Sequence, residues 1–463
     1  MGLGFDYTCL VRGGPQGESG VEPDALGEAA DLHRERIAAL NLAHDGGGLG
    51  FLDLPDDKAT MTACLEFAEA HHGRFENLVV LGIGGSALGT LALHSALSPP
   101  LHNIVNRSVS RPRLFVIDNV DPVMVGGVLR LLNPATTLFN VISKSGSTAE
   151  TMSQFLLFLE ALKSALGDRW REHVVVTTDA SKGFLRPFAD ENDLVSFTIP
   201  ENVGGRFSVL SPVGMLPGAM MGWDLRALMA GARAGRTVGL SDDFEHNPAA
   251  LIAATHHLLD TRSDCNVQVL FPYAHRLRLL ADWNIQLVAE SLGKLDADGN
   301  GVGPTPHRAL GATDQHSQVQ LFAQGPVDKV FTFLRTERHT DDVAIPKPPD
   351  GLDDLSYLGG KTFGQLLDAE CRATYLALVE AGRPCAMVTM TEVDAATVGE
   401  WLMWQMIATA YGGLLYGVDA FDQPGVEAGK VATYGLMGRP GFEEEAERIS
   451  QRTLSDPRYR IHT

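Results

Sequence analysis

Short apolar, β-prone runs alternate with helical periods from about Asn77 onward, and this alternation constrains the fold more than any other feature of the chain. Residues 78–81, 113–117, 137–142 and 174–177 read as strands, with helices expected from about Ala87 and over 122–132. Strand and helix in strict turn give a parallel sheet with helices on both faces, an arrangement that binds ligands beyond the carboxyl ends of its strands. The pattern restarts near Asn266. Strands are predicted over 267–271, 329–333 and 385–390, with a long helix over about 276–292. The expected fold is therefore α/β, with two doubly wound parallel sheets flanked by helices.

A length of 463 residues accommodates two or three domains at roughly 150 residues each. The expected division is a helical N-terminal extension over 1–70, a first domain over 71–235, a second over 236–438 and a polar tail over 439–463. Within the extension, one helical run is expected over 26–42 between glycine clusters. Residues 210–232 read as a packed helical connection, and the apolar helix expected over 391–410 suits either the core or a subunit contact. Hydrophobic residues at 44% and charged residues at 20% describe a soluble globular chain. A formal net charge of -20 argues against nonspecific nucleic-acid binding, which needs concentrated Lys and Arg. The five cysteines (Cys9, Cys64, Cys265, Cys371, Cys385) form no CxxC pair, so neither a disulfide framework nor a zinc site is indicated, and a reducing cytoplasm fits best. No signal segment or membrane-spanning run is visible, so the glycosylation spacing Asn106-Arg107-Ser108 reads as chance.

The third predicted strand runs into Ser143-Lys144-Ser145-Gly146-Ser147-Thr148-Ala149-Glu150-Thr151. Ser147 and Glu150 have the spacing of a capping box, and Met152, Phe155, Leu156, Leu159 and Leu162 form a helical stripe expected to be buried. A helix N-terminus ringed by hydroxyls and one Lys suits a phosphate, although an ordinary polar turn has the same composition.

Other segments carry candidate chemistry. Gly82-Ile83-Gly84-Gly85-Ser86-Ala87 follows the first strand; Gly82, Gly84 and Ala87 match a relaxed dinucleotide fingerprint, and the same loop could bring its backbone close to a phosphate, with Ser86 adding a hydroxyl. A confirming acid should end the second strand about 20 residues on, whereas Asp118 lies about 30 beyond the glycines. Gly204-Gly205-Arg206-Phe207-Ser208 places a guanidinium on a loop whose glycines permit close approach to a ligand. Gln286 and Glu290 share a helix face above Gly293, where a partly desolvated carboxylate would suit a general base; a solvated helix residue is the plainer reading. His316 sits at an expected helix start capped by Thr313 or Asp314. Gln423 and Lys430 are seven apart in a segment where Pro424 suits a first helical turn, which would put them on one side. Asp296-Ala297-Asp298-Gly299-Asn300-Gly301 begins like an EF-hand loop but has His307 at its twelfth position, so it is assigned to a surface loop.

In order and spacing, these segments from about Leu78 to Lys430 resemble the glucose-6-phosphate isomerase family, aldose–ketose isomerases with two sugar isomerase (SIS) domains. Gly-Gly-Arg-Phe-Ser and Phe-Asp-Gln-Pro-Gly-Val-Glu-Ala-Gly-Lys are its specific motifs; the glycine and serine loops are shared with the wider sugar-phosphate isomerase class. The resemblance implies that Ser86, Ser143, Ser145, Thr148 and Lys144, with loop N–H groups around Gly85 and Gly205, hold the phosphate of glucose 6-phosphate or fructose 6-phosphate. It implies that Glu290 moves the proton between C2 and C1 through a cis-enediolate and that Arg206 steadies the negative charge. His316, reaching in from the partner of a homodimer, and Lys430 would assist ring opening, with Gln286 and Gln423 as positioning groups. No metal and no redox cofactor is implied. Three alternatives stand beside this reading: a noncatalytic sugar-phosphate sensor, which the joint presence of Glu290, Arg206, His316 and Lys430 disfavours; a dinucleotide-dependent oxidoreductase resting on Gly82, Gly84 and Ala87 alone; and a related isomerase that also accepts mannose 6-phosphate, a C2 epimer that passes through the same enediolate.

Overall fold

The chain begins with a strand, β1 (Leu3–Asp6), where the sequence led us to expect only helix. The first sheet follows with β2 (Asn77–Leu81), β3 (Arg113–Ile117), β4 (Thr137–Ser143), β5 (Val174–Thr178) and β6 (Val195–Thr198). Its order is β3-β2-β4-β5-β6, and every pairing is parallel. Strands β2, β4 and β5 are buried at every residue, which explains why they read as continuous apolar runs rather than as alternating ones. The second sheet uses β7 (Val267–Pro272), then, beyond a hairpin of β8 (Lys294–Leu295) and β9 (Gly301–Val302), β10 (Thr305–Arg308), β11 (Lys329–Arg338) and β12 (Cys385–Glu392). Its order is β1-β12-β11-β7-β10, parallel throughout except that β1 pairs antiparallel with β12. The N-terminal segment is thus partly a sheet edge. Four residues, only two of them apolar, are too few to show a strand period.

The computed structural model describes residues 2–15, 17, 19–105, 111–452 and 455–461; the Asn106-Arg107-Ser108 spacing lies outside the described residues. The helical run expected over 26–42 is two helices, Pro23–Asp31 and His33–Asp45, broken at Leu32. Val79, Phe139, Phe158 and Trp170 belong to the core of the first sheet; Phe271, Phe322, Phe331 and Phe333 belong to that of the second. The helix Ala395–Tyr416 lies a few residues later than expected and is buried from Thr397 to Gly413 except at Glu400, so it is core within one chain. All five cysteines are buried and unpaired. Among the described residues no helix is long and apolar enough to cross a membrane. The Asp296 loop is the turn of the β8–β9 hairpin, its carboxylate accepting from the N–H groups of Asp298 (2.9 Å) and Asn300 (2.8 Å).

Two helices between the sheets position the site. Leu88–Leu97 follows β2, Arg278–Leu292 follows β7, and they pack against each other. Ser95 Oγ near the end of the first donates to the carbonyl of Arg276 just before the second (2.9 Å), whereas a Cβ on Gly84, before the first, would lie 2.9 Å from Gln286 Nε2, far along the second. The helices are therefore antiparallel.

Residues up to Ala420 form one unit and Phe421–Thr463 another. The second unit contains the helices Glu427–Leu436 and Glu443–Ser450, with Arg439 over the Tyr434 ring at 4.3 Å.

Candidate active site

Three loops at the carboxyl ends of strands carry the candidate residues, and two of them, 82–86 and 204–208, meet the far end of helix Arg278–Leu292. The first leaves β4. The helix after it runs Ala149–Leu166 with Thr148 as N-cap and no side-chain cap, so the capping box expected of Ser147 and Glu150 does not form. The hydroxyls turn to one another instead: Ser143 Oγ lies 2.9 Å from Thr148 Oγ1, which lies 3.2 Å from Ser145 Oγ. The first N–H groups of this helix are therefore left to a ligand or to water. Gly146 holds a left-handed conformation (φ 61°), and a Cβ there would come within 2.7 Å of the Lys182 carbonyl, so the turn requires glycine. The expected stripe also needs one correction. Leu156 is 66% exposed, and Phe158 takes its place in the core.

Lys144 points elsewhere. Its ammonium donates to the carbonyls of Glu201 (2.8 Å) and Val203 (2.7 Å), tying the hydroxyl loop to the loop that carries Arg206 rather than facing the hydroxyls. Burial pulls its pKa below the usual lysine value, with Lys182 adding to the effect.

The second loop, Gly82 to Ser86, contains a 3₁₀ turn over Gly84–Ser86. A Cβ on Gly85 would lie 2.3 Å from the carbonyl carbon and oxygen of Gly205, so the two glycine loops touch backbone to backbone. Ser208 Oγ donates to the Gly205 carbonyl at 2.6 Å and holds the third loop in its turn.

Arg206, on that third loop, is 4% exposed. Its Nε donates to Ser291 Oγ (2.6 Å), Nη2 donates to the Ala420 carbonyl (2.5 Å), and Nη1 stands 3.7 Å from Glu290 Oε2. Gln286 Nε2 donates to Glu290 Oε1 at 3.1 Å, while its own Oε1 is buried without a partner among the described residues. The four-residue spacing read from the sequence is thus a real contact. Ser291 was not anticipated: a serine inside an apolar helix carries no sequence signal beyond its place next to Glu290. Carboxylate, guanidinium and amide converge where a substrate could lose a proton to one and rest an oxyanion on another.

His316 ends a 3₁₀ turn over Thr313–His316, pinned by Asp314, whose Oδ2 accepts from Leu310 N (2.7 Å) and Oδ1 from Ser317 Oγ (2.6 Å). Among the described residues no hydrogen bond or ion pair joins His316 to Glu290 within the chain. Gln423 and Lys430 belong to the second unit. Gln423 precedes a 3₁₀ turn over Pro424–Val426 and is not helical, so the argument that seven residues put it on one side with Lys430 fails; Lys430 is on helix Glu427–Leu436, half exposed, with Nζ 2.6 Å from Glu427 Oε1.

Two doubly wound sheets, a hydroxyl-rich helix start and a buried arginine beside a glutamate define the class: an α/β sugar-phosphate isomerase. A family model described as phosphoglucose isomerase matches residues 63–345. The glucose-6-phosphate isomerase of Rubrobacter xylanophilus is 45% identical over 440 residues, covering 95% of this chain and 98% of that protein. That of Thermus thermophilus is 45% identical over 419 residues, 89% of this chain and 96% of its own. The chain belongs to the phosphoglucose isomerase family. A crystal structure of a hypothetical protein from Thermus thermophilus matches with a TM-score of 0.85 at 43% identity, covering 94% of this chain and all of that one. A glucose-6-phosphate isomerase from Chlamydia trachomatis matches at 0.73 and 24% identity, over 85% of this chain and 76% of that one, which shows a common fold.

Proposed function

We propose that Glu290 is the proton-transferring base and Arg206 the oxyanion partner in the reaction this chain catalyses, the reversible isomerisation of glucose 6-phosphate and fructose 6-phosphate. The observation that carries the assignment is the convergence of Arg206 Nη1 and Gln286 Nε2 on the two oxygens of one carboxylate. The phosphate rests on Ser143, Ser145 and Thr148 and the N–H groups of the helix start, with Ser86, Gly85 and Gly205 lining the approach. Glu290 takes the proton from C2 of the open-chain aldose, and the electron pair moves through the new C1–C2 double bond onto the carbonyl oxygen. Arg206 meets the charge of the resulting enediolate, and return of the proton to C1, with the hydroxyl proton of O2 passing to O1, gives the ketose.

The chain works in the cytoplasm as a homodimer in which His316 enters the partner's site and assists ring opening. The support for that placement is the segment from Gly311 to Gln318, which resembles the family's motif. For Lys430 in ring opening and Gln423 in positioning, the support is the motif from Phe421 to Lys430 alone. Lys144 acts by holding two loops together.

A coupled assay of fructose 6-phosphate conversion on Glu290→Gln tests the assignment. Loss of turnover with retained substrate binding is expected; near-normal turnover would remove Glu290 from the role.

A further inference from the structure

The two sheets repeat one plan. In chain order the first four strands of the first sheet are β2, β3, β4 and β5, arranged β3-β2-β4-β5; the parallel strands of the second are β7, β10, β11 and β12, arranged β10-β7-β11-β12. Strand β7 thus corresponds to β2 and β11 to β4. The 3₁₀ turn Gly84–Ser86 between β2 and its helix has a counterpart in the 3₁₀ turn His275–Leu277 between β7 and its helix. Because those helices are antiparallel, the turn before each lies against the far part of the other. One such corner is the Glu290 site. At the other, Arg276 meets Ser95.

A cleft of about 680 Å³ opens at that second corner, at the carboxyl ends of β7, β11 and β12. Arg276 precedes Glu290 by fourteen residues, so the two sites are roughly 20 Å apart at the helical rise of 1.5 Å per residue. Thr336 lines the cleft, is 4% exposed, and has its Oγ1 buried without a hydrogen-bond partner among the described residues. Arg276 Nε is in the same condition. A buried hydroxyl and a buried guanidinium N–H without partners cost free energy unless something polar fills the space beside them.

The lining says what that something is. Arg276, Arg338, His275 and His339 face the cleft, and so do four carboxylates. Asp224 and Asp394 each spend an oxygen capping a helix, at 2.9 Å from Ala227 N and 2.8 Å from Thr397 N. Glu392 accepts from Thr340 Oγ1 at 3.0 Å and stands 3.8 Å from Arg338, and Asp341 lies near Arg276. Guanidinium groups suit a phosphate, and carboxylates beside them suit hydroxyl donors. The last residue of β11, Arg338, and the segment after it, His339-Thr340-Asp341, occupy the place that the end of β4 and the hydroxyl loop have in the first sheet. Helix Leu88–Leu97, which stands here where Arg278–Leu292 stands at the first corner, carries no acid to match Glu290.

We infer that this second cleft is a noncatalytic binding site for a phosphorylated sugar or polyol, the counterpart in the second sheet of the catalytic phosphate site. The inference rests on the cleft and its lining, and it can fail while the assignment of Glu290 stands.

Calorimetric titration of the full chain with glucitol 6-phosphate, which has no carbonyl to isomerise, tests it. Two sites per chain are expected. Arg338→Met, at a side chain 70% exposed and so harmless to folding, and Thr336→Val should each weaken the second site about tenfold or more while leaving the first unchanged. The double variant of Ser143→Ala with Thr148→Ala should do the reverse. A single site in the wild type up to millimolar ligand would overturn the inference, as would a second site indifferent to both variants. Inorganic phosphate is the parallel arm: binding as tight as that of glucitol 6-phosphate would reduce the site to an anion hole and overturn the sugar assignment. Dissociation of the oligomer by Arg338→Met, read by sedimentation, would make the cleft a subunit contact and overturn it as well.

Discussion

Arg206 and Glu290 form an unequal ion pair: Nη1 and Oε2 are 3.7 Å apart, the arginine side chain is 2% exposed and the glutamate side chain 37%. The cation is fixed by Ser291 Oγ and the Ala420 carbonyl. A buried guanidinium without such partners would be costly; with them it is a preorganised charge that need not move during reaction. The carboxylate, 37% exposed, keeps the solvent access that the proposed proton-transferring role requires. At 3.7 Å the contact is looser than a bidentate pair, so the glutamate is not locked to its neighbour.

Removing the base while keeping its shape separates chemistry from binding. Glu290→Gln should lower kcat by about 10²–10⁴-fold, the usual worth of a positioned general base, with substrate affinity nearly unchanged. The coupled assay gives kcat and calorimetry gives the affinity. A large loss of affinity with unaltered kcat would mean that Glu290 binds rather than reacts.

Arg206→Lys keeps the charge and loses the fork. A single ammonium cannot reproduce bonds to Ser291, Ala420 and the carboxylate from one planar group. The expected cost is about 10²–10³ in kcat, that of one oxyanion donor, together with a lowered melting temperature from the disturbed buried network. Wild-type kcat in a variant that melts normally would show that the guanidinium plays no part in the reaction.

The phosphate loop should behave as a binding element. Ser143→Ala and Thr148→Ala each remove a hydroxyl from a cluster held at 2.9 Å, and each should weaken substrate binding by about 1.5–3 kcal/mol, the range for a hydrogen bond to a charged group. If KM is unmoved in both, the phosphate is held elsewhere.

Much of this arrangement was readable from residue order alone. The central strands were visible because parallel strands buried on both faces read as unbroken apolar runs, and the hydroxyl loop because serines and a threonine cluster where a strand gives way to a helix. What escaped notice depended on distant partners. Strand β1 exists because β12 offers it an edge, not because Leu-Gly-Phe-Asp demands extension. Thr148 rather than Ser147 became the N-cap, its hydroxyl drawn to Ser143, a strand residue. Lys144 looked like a phosphate ligand, yet carbonyls 57 and 59 residues away claim its ammonium. Ser291 became visible only once Arg206 was seen beside it.

The two touching glycines make opposite predictions. A Cβ on Gly85 would lie 2.3 Å from the Gly205 backbone, whereas one on Gly205 would meet nothing within 4 Å. Gly85→Ala should therefore push two loops apart, destabilising the fold by about 1–3 kcal/mol as overpacking does and lowering kcat/KM with it. Gly205→Ala should melt like the wild type while raising KM if that loop faces substrate. Equal melting temperatures for the two variants would contradict the contact.

Acid sensitivity should trace in part to His256, which lies outside the catalytic group. Its Nε2 is 3.3 Å from Thr332 Oγ1, and burial pulls its pKa down to about 4, a hydrogen bond donated to Gln268 only partly opposing the shift. An unfolded chain protonates this imidazole near its ordinary 6.5. Its folded pKa being the lower one, the unfolded state binds the proton first, so stability is intact above pH 6.5 and is lost as the pH falls toward 4. The gap amounts to up to about 3 kcal/mol at the acid end of that window. His256→Gln cannot be protonated, so its melting temperature should fall less steeply than that of the wild type between pH 6.5 and 4, whatever the offset between them at about pH 7. Melting curves that run parallel through that window would show that His256 is not held neutral by burial.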